Sequence, residues 1–244
     1  MKIGIAMPFY DRHSQLPLTL ERMLNSDHKD WHLVVVDDAS PTPLSPSALE
    51  GVPATLISIP PSEKKWINPL PPINMAIARL LKDHSPDVII VQNAECYYVG
   101  DVLSYANAHV TDDNYISFGC ISLEKPDVEL EDAVGKKGLT RWYNHPKHNP
   151  RGLDFCSAMS ARTMLKLNGH DERFKDAMGR ADHDLVRRVR LLGLDFIITA
   201  EPFVVHQWHS RHYRRTYPTN NSLYEKIKRE KNYRAVHTIT EDFS

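Results

Sequence analysis

The chain opens with an apolar run, Ile3 to Met7, closed by Pro8, and this pattern predicts a short buried strand. Leu16, Leu20, Met23 and Leu24 then recur at helical spacing behind Ser14, a residue suited to an N-cap. Leu33-Val34-Val35-Val36 is continuously aliphatic and stops at Asp37-Asp38, as expected of a strand covered on both faces. Ile73, Ala76, Ile77, Leu80 and Leu81 predict a second amphipathic helix, leading into a third buried strand, Val88-Ile89-Ile90-Val91. Between these helices, nine of the 17 prolines fall from Pro41 to Pro72 and predict an irregular excursion around a small strand, Thr55 to Ile59. Strand, helix, strand, long loop, helix, strand is the order of a parallel α/β sheet with right-handed crossovers.

The second half is less regular. Tyr115 to Cys120 and Phe155 to Ser160 predict strands, and Asp182 to Leu192 a helix closed by Gly193. Asp195 to Ile198 and Phe203 to Val205 complete the core, while the charged, Asn- and Pro-rich stretch from Leu123 to Arg151 predicts a loop over one face. No repeat or linker divides the chain. Residues 1–212 read as one domain, and 213–244 as a basic helical extension packed on or near it.

Composition narrows the class. At 244 residues, 41% hydrophobic and 25% charged, the chain has enough apolar material for a sizeable core. A net charge of −1 makes no general demand for nucleic acid or membrane. No stretch reaches the roughly 20 apolar residues of a bilayer span, and the first apolar run is too short for a secretory signal. Cys96, Cys120 and Cys156 lack zinc or CxxC spacing; they read as reduced thiols of a cytosolic protein, with one bridge left open. The charge is uneven, however. Arg211, Arg214, Arg215, Lys226, Lys228, Arg229, Lys231 and Arg234 face only Glu225 and Glu230, a tail suited to a phosphate, an anionic membrane surface, an acidic face of its own domain, or simply solvent.

In open α/β sheets, ligands bind beyond the carboxyl ends of the strands. There the chain places Pro8-Phe9-Tyr10-Asp11-Arg12, then Asp37-Asp38-Ala39-Ser40, then Gln92-Asn93-Ala94-Glu95. Each cluster alone would pass for a turn or a cap. Three on one rim predict a polar ligand site.

These segments resemble the GT-A glycosyltransferases of family 2. Pro8-x-Tyr10 is similar to that family's first strand end, P-x-Y-N, and Val36-Asp37-Asp38-Ala39-Ser40 to its V-D-D-G-S. The likeness continues through Asn68-Pro69-x-x-Pro72-x-Asn74 and Asn93-Ala94-Glu95-Cys96-Tyr97-Tyr98-Val99-Gly100-Asp101. It continues again through Asn168-Gly169-His170-Asp171-Glu172, Asp182-His183-Asp184-Leu185 and His206-Gln207-Trp208-His209, in order over residues 3–212. Asn93-Ala94-Glu95 stands where most members have D-x-D, as in a polysaccharide-cluster branch with N-P-E-C.

The resemblance implies a three-layer α/β/α sandwich with a mostly parallel sheet. It also implies an inverting transfer of sugar from a nucleotide diphosphate, UDP-type favoured, to a hydroxyl acceptor such as a surface glycan. Asp182 is then the general base, although an acid at a helix start also favours the helix dipole without any chemistry. Pro8, Tyr10, Asp37, Asp38, Asn74 and Arg211 fall at nucleotide-binding positions, with Arg214 and Arg215 following. Glu95 and His206 fall at the positions holding Mn²⁺ or Mg²⁺, which would neutralise the leaving diphosphate. Trp66, Asp171, Glu172, Trp208 and His209 are candidates for donor-sugar or acceptor contacts, and Trp142, Tyr143 and His145 for stacking on sugar rings. The resemblance places such an enzyme in the cytoplasm, with the basic tail able to rest on the inner membrane face.

Two other readings remain at this point. A sugar-phosphate nucleotidyltransferase would use a glycine-rich phosphate loop, and Phe9-Tyr10-Asp11-Arg12-His13 has no glycine. A non-catalytic nucleotide- or glycan-binding relative would fit the reduced acid count at Asn93 and at Ala181.

Overall fold

The computed structural model describes residues 1–136, 138–210 and 217–236. Its elements in chain order are β1 (Ile3–Phe9), α1 (Leu16–Leu24), β2 (Trp31–Asp37), β3 (Ala54–Ser58), α2 (Leu70–Asp83), β4 (Val88–Gln92), β5 (Cys96–Val99) and α3 (Val102–His109). There follow β6 (Asn114–Leu123), α4 (Leu130–Ala133), β7 (Thr140–Asn144), β8 (Cys156–Ser160), α5 (Ala161–Leu167), α6 (Ala181–Leu191), β9 (Asp195–His206) and α7 (Tyr217–Ile227). Short 3₁₀ turns occupy Pro46–Leu49 and Glu172–Phe174.

The strands form one sheet in the order β3-β2-β1-β4-β8-β6-β9-β5, with β7 also paired to β6. β1, β2, β3 and β4 run parallel. β8 enters antiparallel beside β4, and β9 runs parallel to β6. Aliphatic residues alternate between two buried layers, which is why these strands read as unbroken apolar runs. Ile5, Met7, Val35 and Ile90 pack with α1 and α3 on one face. Ala6, Val34, Val36, Ile89 and Val91 pack with α2, α5 and α6 on the other. The result is the expected α/β/α sandwich.

Several boundaries differ from the sequence reading. Ser14 is not the cap of α1; Gln15 is. Gln15 and Leu16 both donate their amides to the Arg12 carbonyl, at 3.1 and 2.9 Å, and Pro17 sits in the first turn of the helix. Pro8 lies inside β1 rather than ending it. The stretch from Leu123 to Arg151 contains α4 and β7, the latter pairing with the end of β6. Asp195 to Val205 form one strand, β9, and not two; its register against β6 shifts between Ser117 and Gly119. Gly119 permits that shift, since a Cβ there would lie 2.7 Å from the Thr199 carbonyl.

α7 is pinned to the loop before α6. Asn220, buried, donates its side-chain amide to the carbonyls of Phe174, Ala177 and Gly179 at 2.9, 2.5 and 2.9 Å. Downstream, the Ala235 amide donates to the Leu167 carbonyl at 2.9 Å. Among the described residues no helix is long and apolar enough to cross a membrane. All three cysteines are free and buried in one core cluster.

Candidate functional site

At the end of β1 the chain turns sharply, with Asp11 at φ +52° and its amide donating to Ser40 Oγ at 3.0 Å. Beside it, the Asp38 amide donates to the Phe9 carbonyl at 2.8 Å, which ties the two strand ends together. The adjacent acids then divide their work. Asp37 accepts the amides of Ser40 and Leu44 at 3.0 and 2.7 Å and so shapes the turn. Asp38 points to the irregular loop instead: Trp66 Nε1 donates to one oxygen at 2.7 Å and Lys64 Nζ to the other at 2.9 Å. The Lys64 ammonium also lies 4.2 Å from the Tyr10 ring centroid. Burial raises the Asp38 pKa, and the Lys64 and Trp66 contacts only partly oppose it. Pro8, Tyr10, Asp37, Asp38 and Trp66 thus share one rim.

The end of β4 carries the second cluster. The Cys96 amide donates to the Asn93 carbonyl at 3.0 Å, a tight turn that throws Glu95 outward just before β5. Antiparallel pairing then sets Cys96 opposite His206, the last residue of β9, so Glu95 and His206 must meet. Gln207 locks the turn by donating its backbone amide to the Glu95 carbonyl at 3.0 Å. Nε2 of His206 and of His209 lie 3.5 and 3.7 Å from Glu95 Oε1, and Arg12 Nε lies 3.6 Å from Oε2. Burial alone would raise the Glu95 pKa; His206, Arg12 and His209 outweigh it and hold the carboxyl at about 2.

This cluster suits a divalent cation. One carboxylate oxygen and two imidazole nitrogens lie within 4.8 Å of one another. His206 Nδ1 and Arg12 Nε are buried without a hydrogen-bond partner among the described residues, so the group carries unmet polar demand. Imidazole donors suit a transition ion such as Mn²⁺ better than Mg²⁺, which prefers oxygen ligands. His209, expected at a sugar, stands with Glu95 and His206 instead.

The third cluster lies at the start of β8. Asn93 donates its amide to the Phe155 carbonyl at 3.1 Å, and the Phe155 ring meets His206 edge-on at 5.8 Å. One residue earlier, Asp154 accepts from Ser157 Oγ, and its other oxygen lies 3.1 Å from His170 Nε2. Asp182, half-buried in the first turn of α6, accepts no hydrogen bond among the described residues. Burial first, then the Asp154 charge, raises its pKa to about 6, with His170 opposing. Residues 154–155 therefore join the Glu95 cluster to Asp182 across one stretch of backbone. Asp182 is no helix cap: the N-cap residue is Arg180, at φ +68°, and it makes no side-chain cap bond. Asp184, by contrast, is fully engaged by Arg187 and Arg188.

The other sequence candidates sit elsewhere. Asn74 is buried and holds α2 to the following segment, donating to the His170 carbonyl and to Glu172 Oε1 at 2.8 and 3.0 Å and accepting the His170 amide at 2.8 Å. Its amide is fully used in that bracket. Asp171 caps the 3₁₀ turn and is gripped by Arg173, at 2.7 Å for the shortest contact. Burial would raise the Asp171 pKa, but the Arg173 bonds lower it. Trp208 is 40% exposed, and its carbonyl accepts from Gln15 Nε2 at 2.9 Å. Trp142 and His145 line a separate cavity with Phe203 and Glu201, whereas Tyr143 packs edge-on against His206 at 5.4 Å. Arg211, with Arg214 and Arg215, lies outside the described residues. Arg12 and His170 stand inside the sequence motifs without a role assigned to them there, and Lys64 and Asp154 leave no signal in the sequence.

The fold is that of the GT-A class. Residues 4–121, a little under half of the chain, match the family model of Glycosyl transferase family 2. TarS of S. aureus, residues 1–349, in complex with UDP, superposes with a TM-score of 0.67 at 13% identity, covering 99% of this chain and 68% of that one. The same TarS fragment with UDP-GlcNAc gives 0.64 at 12% identity, over 87% of this chain and 60% of that one. Mannosyltransferase PcManGT from Pyrobaculum calidifontis, with GDP-Man and Mn²⁺, gives 0.59 at 16% identity, over 87% and 58%. At such identities the likeness is one of fold. No curated protein matches the sequence closely enough to count as a relative.

Proposed function

We propose that the protein transfers a sugar, with inversion, from a UDP-type nucleotide diphosphate donor to the hydroxyl of a glycan acceptor, with Asp182 as general base. The observation that carries this reading is the Glu95, His206 and His209 cluster, linked through Arg12 to the strand end beside Asp38 and through the Asn93–Phe155 backbone bond to the segment whose Asp154 charge acts on Asp182. Pro8, Tyr10, Asp37 and Asp38 would surround the base of the nucleotide, with an Asp38 oxygen accepting from a ring N–H. Glu95, His206 and His209 would hold Mn²⁺, whose charge would stabilise the diphosphate as negative charge builds on it. The complexes with UDP, UDP-GlcNAc and GDP-Man formed by proteins of this fold support a donor of that class.

In the reaction the acceptor oxygen bonds to the anomeric carbon as the bond to the diphosphate oxygen breaks. Asp182 takes the acceptor's proton. Its lack of a hydrogen-bond donor leaves the carboxylate free to accept one, and a pKa near 6 keeps it basic yet ionised at neutral pH. Burial and then the Asp154 charge raise its pKa, and His170 opposes that shift. The proposed setting is the cytoplasm, with the acceptor in solution or carried at the inner membrane face.

The decisive experiment is a comparison of Asp182→Asn with the unmodified protein. Transfer should fall by about 10²- to 10⁴-fold, while UDP binding in Mn²⁺, read by thermal shift, stays within twofold. Normal turnover by the variant would remove Asp182 from the mechanism.

A further inference from the structure

A second cavity, of about 770 Å³, lies against the outer side of the segments that carry Asp154 and Asp182. It is walled by Arg151 and Leu153, by Arg180, His183, Arg187 and Arg190, and by Tyr224 of α7. No acidic side chain lines it among the described residues. Of its four arginines only Arg187 has an ion-pair partner there, Asp184 at 2.7 Å. Arg180 donates to Asn221 Oδ1 at 2.7 Å and stacks on Tyr224 at 5.4 Å, both neutral groups. Glu225, which feels the Arg180 charge, is exposed and bonded to Lys228. His183 adds a buried Nδ1 with no hydrogen-bond partner among the described residues, and burial first, then Arg180 and Arg151, disfavours its protonation.

The cluster is held in place by packing. Gly152, at φ +66°, lets the Phe196 ring pass where a Cβ would lie 2.1 Å from it. Arg190 stacks on that same ring at 5.1 Å. Phe196 thus sets the Arg151 loop and Arg190 at one mouth. Like charges gathered without counter-charge repel, and an anion would relieve them. Arginine also offers a planar fork matched to phosphate.

We propose that this cavity binds a phosphate group carried by the acceptor, so that the substrate class is a phosphorylated glycan. This rests on the reading that acceptor chemistry occurs at Asp182, one residue from His183. Phosphate would anchor in the arginine pocket and the hydroxyl would reach over the start of α6. A soluble sugar phosphate and a lipid headgroup present the same recognition chemistry.

Calorimetric titration with inorganic phosphate and with glucose 1-phosphate, in EDTA and at low salt, tests the pocket, with glucose as the neutral control. Both phosphates should bind and glucose should not. Arg151→Gln/Arg190→Gln should weaken phosphate binding at least 10-fold, as should Arg180→Gln alone, with melting temperature and UDP affinity in Mn²⁺ unchanged. Equal phosphate affinity in the double variant, or an equal loss in Glu95→Gln, would overturn the assignment. Vesicles of phosphatidylglycerol against phosphatidylcholine separate the sources: binding that needs the anionic vesicle assigns the phosphate to a lipid, and binding of glucose 1-phosphate alone assigns it to a soluble acceptor. These titrations use no donor and no turnover, so they stand even if Asp182 proves not to be the base. Donor hydrolysis by the double variant, expected to be unchanged, reads the transferase reaction separately.

Discussion

Trp66 Nε1 donates a 2.7 Å hydrogen bond to Asp38 Oδ1, across 28 positions of chain, and this closes the irregular loop over the end of β2. Together with Lys64 on the other oxygen, it occupies both acceptors of the carboxylate proposed to meet the nucleotide base. A bound nucleotide must therefore share or displace the Trp66 contact. Titration with UDP in Mn²⁺ should change the indole fluorescence, and the change should vanish in Trp66→Phe but persist in Trp208→Phe. Asp38→Asn should weaken UDP binding by about 10- to 100-fold, the range expected for a hydrogen bond to a charged group. An unaltered fluorescence in the unmodified protein would exclude Asp38 from the base pocket.

The Glu95 cluster leads to a metal prediction. Two imidazoles and one carboxylate favour Mn²⁺ over Mg²⁺ at equal concentration. Activity lost in EDTA should return more fully with Mn²⁺. Glu95→Gln leaves His206 and His209 in place but removes the cluster's only negative ligand. Its half-saturating Mn²⁺ concentration should rise at least 10-fold, as measured by activity or by Mn²⁺ electron paramagnetic resonance. Metal-independent transfer would instead give Arg12, His206 and His209 the diphosphate directly.

The contrast between these two clusters shows what the sequence makes legible. The strand ends at Asp37-Asp38 and Asn93-Ala94-Glu95 stand out because buried parallel strands are apolar runs that stop abruptly at the ligand rim. The meeting of Glu95 with His206 depends on the register of β5 against β9, which no local pattern encodes. β5 itself, four residues long, was hidden inside a motif read for its chemistry. Asp154 escaped notice because its role comes only from being brought to His170 and Asp182 by the fold. Asn74 drew attention as part of a motif, whereas its amide is a bracket between α2 and His170.

Asp182 sets the pH dependence. A base with a pKa of about 6 is ionised above that value, so the rate should fall as pH drops through 6. Asp154→Asn removes the neighbouring negative charge and should move this acid limb to lower pH. The same shift bears on stability. The folded-state pKa lies above the usual carboxylate value, so the native state holds the proton more tightly than the unfolded chain does. Stability is highest below pH 4 on this account, declines as pH rises from about 4 to about 6, and carries the full penalty above. Asp182→Asn should consequently melt a few degrees higher than the unmodified protein at pH 7.5, with the difference gone at pH 4. A variant no more stable at pH 7.5 would mean that burial does not strain this carboxylate.

Among the described residues Arg188 is the largest side chain that is fully buried, and it is ion-paired with Asp184 at 2.7 Å. Its other nitrogen donates to the carbonyls of Leu167 and Gly169 at 3.1 and 3.0 Å, which ties α6 to the end of α5 and to the loop bearing His170. Asp184→Ala would strand a buried guanidinium and should cost about 3–5 kcal/mol. The double variant Asp184→Leu/Arg188→Met removes both charges and should recover much of that loss, because an apolar pair of similar volume avoids the desolvation penalty. Chemical denaturation of the three proteins checks this. If Asp184→Ala cost less than about 1 kcal/mol, the pair would be behaving like a solvent-exposed one, and α6 would not owe its position, nor Asp182 its approach to Asp154, to this contact.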